Sequence, residues 1–284
     1  MPSIDDPRLT LPDSADGLKL QVSAAVASLK NAPELDAEQG SQLLHGEQVV
    51  LHHEEGEFGL VQSLHDRYTG WTLMEALSAP VLTPTHRVKA LRAYVFPEPS
   101  IKASPFFPVS LGALVACEEE VQGRFVRCTR SGWLVADQLQ PVSEYADDPA
   151  TVAEKYMYTP YLWGGRESLG IDCSGLVQHA FNACGIPAPR DSDMQSVWLG
   201  TPIENWTEPG KLQRNDLVFW KGHVGIMLND TQLLHANGHH MGVAAEPLTE
   251  AIVRIRPQHG EPTQARRVDP FAEATMSPVW KTTA

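Results

Sequence analysis

The sequence predicts an α+β protein in which two small β-barrels precede a domain made of a helix and a run of short strands. Three features carry this expectation. A pattern of glycine, apolar strand, acidic turn and second strand occurs twice in the first half. A helix with one apolar face begins at Cys173. Beyond it, short apolar runs follow one another through tight turns. With 284 residues, 42% of them hydrophobic, the chain has material for an extensive core.

The first seventeen residues, MPSIDDPRLTLPDSADG, are acidic and proline-bearing and read as an N-terminal extension. They lack a basic start followed by an apolar run, so no secretory signal is expected. No stretch is long and apolar enough to cross a membrane, and the expected location is the cytoplasm. The segment LLHGEQVVLHHEEGEFGLVQSL then resembles FPVSLGALVACEEEVQGRFVRC in the order of its parts. Each copy runs on to a Gly-Trp pair, Gly70-Trp71 in one and Gly132-Trp133 in the other. Short strands with glycine and acidic turns at this spacing predict two barrels, near residues 18–80 and 81–142. A Gly-Trp before the last strand resembles bacterial SH3-like (SH3b) domains.

The character changes after residue 142. DDPATVAEKYM has an acidic start and a proline in its first turn, which predicts a helix. The last domain is expected over 143–260, and the Pro- and polar-rich stretch 261–284 as a loosely packed tail. The formal charge of −13 argues against binding nucleic acid or an anionic membrane, both of which need basic surface. Of the four cysteines, Cys173 and Cys184 fall at opposite ends of one helix. Eleven helical residues span roughly 16 Å, too far for a disulfide. Cys117 and Cys128 can face each other on adjacent strands, although nothing demands it.

From Cys173, apolar residues recur at Leu176, Val177, Ala180, Phe181 and Cys184, one face of a 3.6-residue helix that Gly185 and the following prolines stop. Cys173 therefore stands at a helix N-terminus, where unpaired amide N–H groups and the macrodipole lower a thiol's pKa and can hold an oxyanion. Asp172 is either the N-cap of this helix or a substrate contact. A base is sought downstream. DLVFW and HVGIML read as strands joined by the Lys221-Gly222 turn, and QLLHANG as a third. If the second and third pair through NDT, His223 and His235 come together across the sheet, one to deprotonate the thiol and the other to orient it. No carboxylate or thiolate stands at a metal-ligand spacing from His239 and His240, so no metal is expected there.

Taken in order, PYLWGG, GIDCSGLV, PRDSDMQ, NDLVFW, HVGIML and LLHANG resemble the NlpC-type (NlpC/p60) cell-wall cysteine peptidases over residues 156 to about 256. The resemblance implies a papain-like core with a nucleophile-bearing helix on an antiparallel sheet. It implies Cys173 as nucleophile, His223 as general base, His235 as the orienting residue and Tyr161 at the oxyanion site beside the Cys173 N–H. Two SH3b domains together with PRDSDMQ are similar to the γ-D-glutamyl-L-diamino acid endopeptidases. Those act on short murein peptides with a free N-terminal L-Ala and cut before the diamino acid, usually meso-diaminopimelate. That resemblance implies Asp191 and Ser192 near the substrate ammonium, with Glu47 and Tyr68 of the first barrel, and Asp172 and Ser174, as further substrate contacts. Arg190 pairs either with a substrate carboxylate or near Asp191. No cofactor, nucleic acid or membrane is implied. An exported peptidoglycan-remodelling endopeptidase and a non-catalytic wall-peptide-binding protein are the rival readings.

Overall fold

A computed structural model describes residues 5–10, 17–269 and 278–281. The chain forms two compact units. One comprises Pro7–Tyr145 with Arg166–Ser168, and the other is built chiefly from Ala146–Gly165 and the chain after Leu169.

In the first unit, seven strands between Leu18 and Ser78 form one antiparallel sheet. Residues of the N-terminal extension join it: Leu9 is buried, its carbonyl accepts from Gln62, and the Arg8 carbonyl accepts from the Thr69 N–H. Eight further strands between His86 and Pro141 surround a second core of Val88, Val95, Val109, Val126 and Leu134. The repeat seen in the sequence is structural. Each Gly-Trp lies in a strand, Thr69–Leu73 or Gly132–Val135, that runs into a single 3₁₀ turn and then a short last strand, Leu77–Ser78 or Leu139–Pro141. Gly46 stands at φ +80°, and a Cβ there would lie 2.0 Å from the Leu114 carbonyl oxygen, so only glycine lets these two segments meet. Cys117 and Cys128 are register partners with free thiols 3.2 Å apart.

The second unit opens with helix α1 (Pro149–Glu154). Asp148 caps it by accepting from the Thr151 N–H, and proline fills its first turn, where no N–H is needed. Helix α2 (Cys173–Ala183) follows, then α3 (Ser192–Trp198) and α4 (Leu248–His259). The sheet is antiparallel, in the order Thr201–Pro202, Gln264–Arg267, Leu217–Trp220, His223–Met227, Gln232–Asn237, Gly242–Pro247. α2 packs across His223–Met227 and Gln232–Asn237, burying Leu176, Val177, Ala180 and Phe181.

The expected loose tail needs correction. Gln264–Arg267 is a strand inside this sheet, paired with Leu217–Phe219 on one side and Thr201–Pro202 on the other. Its hold is largely polar, which is why hydrophobic patterning does not reveal it. Ala265 is fully buried, the Arg266 guanidinium donates to the carbonyls of Val197, Leu199 and Gly200 at the end of α3, and Arg267 pairs with Asp216. The peptidase-like unit thus continues past residue 260.

Candidate active site

Cys173 is the first residue of α2 and is buried. Its position is set by Asp172, whose backbone is extended and whose Oδ1 accepts from the Gly175 N–H at 2.7 Å. The glycine of Cys-Ser-Gly is a packing requirement: a Cβ at Gly175 would lie 2.4 Å from the Gly165 carbonyl oxygen. The backbone N–H groups of Val224 and Ser174 favour negative charge on the Cys173 sulfur. The first of these places the thiol against the residue that follows His223.

The expectation of a lowered thiol pKa is not met. Burial, reinforced by the Asp172 carboxylate, pushes Cys173 up to about 12, outweighing the two N–H donors and Arg190. A helix start favours the thiolate, but full desolvation disfavours it more. The resting group is a thiol.

The imidazoles meet as the hairpin spacing suggested. His223 Nε2 and His235 Nδ1 are 2.8 Å apart, with both rings buried. Burial holds both below the usual histidine range, and for His223 the neighbouring His235, His259 and Arg254 charges add to this. Both rings are therefore neutral at neutral pH. Beyond His235 lies a residue that sequence reasoning did not single out. Its Nε2 is 2.7 Å from Glu246 Oε1, and the Arg254 guanidinium binds the same oxygen. Burial opposes ionisation of Glu246, yet the bonds from His235 and Arg254 hold its carboxyl down at about 2. Its one sequence signal was a charged residue in the otherwise small and apolar run GVAAEP.

Tyr161 comes close to the thiol: burial, then the Cys173 and Asp172 charges, keep its phenol protonated well beyond the ordinary range. It lines a cleft of about 460 Å³ together with His223, Asn237, Arg254, Gln258 and His259. Cys173 is not among the residues lining this cleft.

Asp172 takes the capping alternative. Its carboxylate accepts from the N–H groups of Gly164 and Gly175, from the Ser174 hydroxyl, and bidentately from Arg190 at 3.0 and 2.6 Å. Arg190, fully buried, also donates to Ser174 Oγ. Asp172 and Ser174 are thus among its partners. With five donors on two oxygens, Asp172 is saturated as a structural anchor, and a direct substrate contact is not what this geometry provides. Asp191 is partly buried at the N-cap of α3 without a capping bond, and Ser192 begins that helix. Glu47 and Tyr68 are buried within the barrel unit. Glu47 accepts from the Leu44 N–H and binds Arg166 bidentately at 3.0 Å. Tyr68 packs beside Gly40.

The fold also gathers ligand atoms of His235, His240 and Glu246 within 4.8 Å, a grouping invisible in the sequence. His235 and Glu246 already bond each other, Arg254 neutralises the carboxylate, and His240 bonds Asn237 Oδ1 instead. Among the described residues no helix is long and apolar enough to cross a membrane.

Comparison with known proteins agrees with this architecture. The NlpC/P60 family model matches residues 158–258, and the model for the bacterial dipeptidyl-peptidase SH3 domain matches residues 29–77. The chain is 28% identical over 239 residues to dipeptidyl-peptidase 6 of Lysinibacillus sphaericus, covering 76% of this chain and 86% of that protein. It is 28% identical over 238 residues to the γ-D-glutamyl-L-lysine dipeptidyl-peptidase of Bacillus subtilis, covering 75% and 77%. The fold is similar to the crystal structure of an NlpC/P60 family protein from Bacillus cereus, with a TM-score of 0.74 at 22% identity over 88% of this chain and 99% of that one. A thiol at a helix start, an imidazole pair on the facing sheet and these two matches together identify an NlpC/P60 cysteine peptidase domain over residues 158–258 of the chain, preceded by a bacterial dipeptidyl-peptidase SH3 domain over residues 29–77.

Proposed function

We propose that the protein hydrolyses the bond between γ-D-glutamate and the diamino acid of short murein peptides with a free N-terminal L-Ala, in the cytosolic recycling of cell-wall peptides. The observation that carries the chemistry is the buried His223–His235 pair, with His223 next in the chain to Val224, whose N–H acts on the Cys173 thiol. The pairing of NlpC/P60 and dipeptidyl-peptidase SH3 matches in this chain, together with its similarity to a relative named for γ-D-glutamyl-L-lysine, supports the substrate class.

In this reading the resting pair is neutral thiol and neutral imidazole. His223 takes the Cys173 proton as the sulfur attacks the γ-carbonyl of D-glutamate, so no preformed ion pair is needed. The oxyanion is held by the Cys173 N–H, which has no partner within its helix, and by the protonated Tyr161 hydroxyl. His223 then protonates the leaving amine. The cleft with His223 in its wall receives the leaving diamino acid, because the leaving amine must face the proton donor. Water completes the cycle by hydrolysing the thioester. Asp191, with Ser192 beside it, supplies negative charge for the substrate ammonium.

Mass-spectrometric product analysis on L-Ala-γ-D-Glu-meso-diaminopimelate, its L-Lys counterpart and their N-acetylated forms tests the proposal. The expected products are L-Ala-γ-D-Glu and the free diamino acid, with iodoacetamide abolishing turnover and N-acetylation strongly reducing it. Equal rates on free and acetylated peptides, or cleavage at another bond, would overturn it.

A further inference from the structure

We infer that Glu246 is a positioning residue: its carboxylate fixes the proton arrangement of His235 and His223 so that Nδ1 of His223 is the nitrogen left bare for the Cys173 thiol. The inference rests on the roles proposed above for Cys173 and His223.

The argument follows the protons. A carboxylate can only accept, so the 2.7 Å contact between His235 Nε2 and Glu246 Oε1 requires the proton on His235 Nε2. Neutral imidazole carries one N–H, which leaves His235 Nδ1 bare. The 2.8 Å contact between that atom and His223 Nε2 then requires the proton on His223 Nε2. His223 Nδ1 is bare in turn and is free to accept from sulfur. Glu246 is ionised at working pH and is kept in place by Arg254, so the arrangement is set before substrate arrives.

Without the carboxylate, His235 can hold its proton on Nδ1 instead. It would then donate to His223 Nε2, the His223 proton would sit on Nδ1, and the thiol would face a donor. During the reaction the Cys173 proton moves to His223 Nδ1 and no other proton changes place. The new imidazolium keeps donating through Nε2 to His235, which keeps donating to the carboxylate. Glu246 therefore also stabilises the developing positive charge through one intervening ring, as an orienting acid does in other imidazole-dependent hydrolases.

Glu246→Ala is expected to lower kcat on the order of 10- to 100-fold with KM within about twofold. Glu246→Asp, which keeps an acceptor-only group, should recover most of that loss. The pH profile gives a readout that a packing role would not move. His223 faces His235, His259, Arg254 and Glu246, and His235 faces Glu246, Arg254 and His240. Removing the one anion leaves only cationic or neutral neighbours, so the imidazoles become harder to protonate. The acid limb of kcat/KM in Glu246→Ala should move to lower pH. Nitrogen-15 NMR of the wild-type protein should show the Nε2–H form for both His223 and His235. A folded Glu246→Ala protein with wild-type kcat and an unmoved acid limb overturns the inference, as does an Nδ1–H form of His235 in the wild type. That last measurement does not depend on any variant folding. These outcomes leave the peptidase reading intact, whereas a Cys173→Ala protein that still turns over would defeat that reading first.

Discussion

Asp172–Arg190 and Glu246–Arg254 are the two carboxylate–guanidinium pairs behind the candidate site, one backing the nucleophile and the other the base. They differ in what the carboxylate receives. Asp172 accepts backbone N–H groups from Gly164 and Gly175, so it ties a loop to the start of α2, and Arg190 beneath it is fully buried. Glu246 accepts an imidazole N–H, and its arginine retains 24% side-chain exposure at the cleft. The first pair holds the thiol by architecture. The second acts on the protonation state of a group it does not itself touch. Removing the first should therefore be read mainly in stability, and removing the second mainly in rate and its pH dependence.

The largest expected effect lies where the two halves meet. Cys173→Ala or His223→Ala should lower peptide cleavage by about 10⁴-fold or more. Cys173→Ala removes one sulfur atom and should leave the unfolding transition nearly unchanged, whereas His223→Ala empties a buried ring site and leaves His235 Nδ1 unpaired, so its melt should fall. Rates from mass spectrometry and a parallel thermal melt check both parts, and turnover surviving in either variant would remove the site from consideration.

The comparison itself is broken or kept by two arginine substitutions. Arg190→Met leaves a buried carboxylate without its countercharge and should cost about 3–5 kcal/mol, measured by urea unfolding. Arg254→Met removes a partly exposed cation from a carboxylate that His235 still satisfies, and should cost under about 1 kcal/mol. Similar losses in both would mean that the two pairs do the same work. A step smaller is Tyr161→Phe. It removes one proposed oxyanion donor without altering the ring, and a fall of about 10²-fold in kcat is expected, with stability nearly unchanged. An unaltered kcat would leave the oxyanion to backbone N–H groups alone.

How much of this was legible in the sequence follows the same division. The helix start at Cys173 was readable because Leu176, Val177, Ala180 and Phe181 repeat at helical spacing, and the meeting of His223 and His235 because a hairpin fixes which residues face each other. The repeated Gly-Trp units were readable because each ends in the same turn and short strand. Glu246 was not, because its place beside His235 depends on the register of a further strand, in which His235 faces Ala244 and Glu246 faces Leu233. Arg190 was not assigned because its partner is set by the fold of the preceding loop. The thiol pKa was misjudged because the helix terminus is visible in sequence and the depth of burial is not. The strand Gln264–Arg267 was hidden by its composition, being held mainly by arginine side chains and backbone pairing.

A third pair, Asp148–Arg214, lies at the cap of α1 and supplies a control for the smallest effect, the dependence of stability on acid. Burial opposes ionisation of Asp148, but Arg214, Thr151 and Asn215 hold its carboxyl down at about 2, as His235 and Arg254 do for Glu246. Both folded-state values lie below those of a free side chain, 3.8 for Asp and 4.5 for Glu. Each carboxylate therefore adds stability that is fully present above the unfolded value and is lost as the pH falls through that value towards about 2. After allowance for solvent screening, each contributes on the order of 1–2 kcal/mol. Asp148→Asn and Glu246→Gln should both be less stable than wild type at pH 7, and both differences should close between about pH 4.5 and 2. Activity should separate them, since only Glu246 reaches an imidazole: Asp148→Asn should keep the wild-type acid limb of kcat/KM, and Glu246→Gln should shift it to lower pH. Stability differences that stay constant down to pH 2 would show that the two carboxylates act through packing, and the distinction between an anchoring anion and a chemically active one would have to be drawn elsewhere.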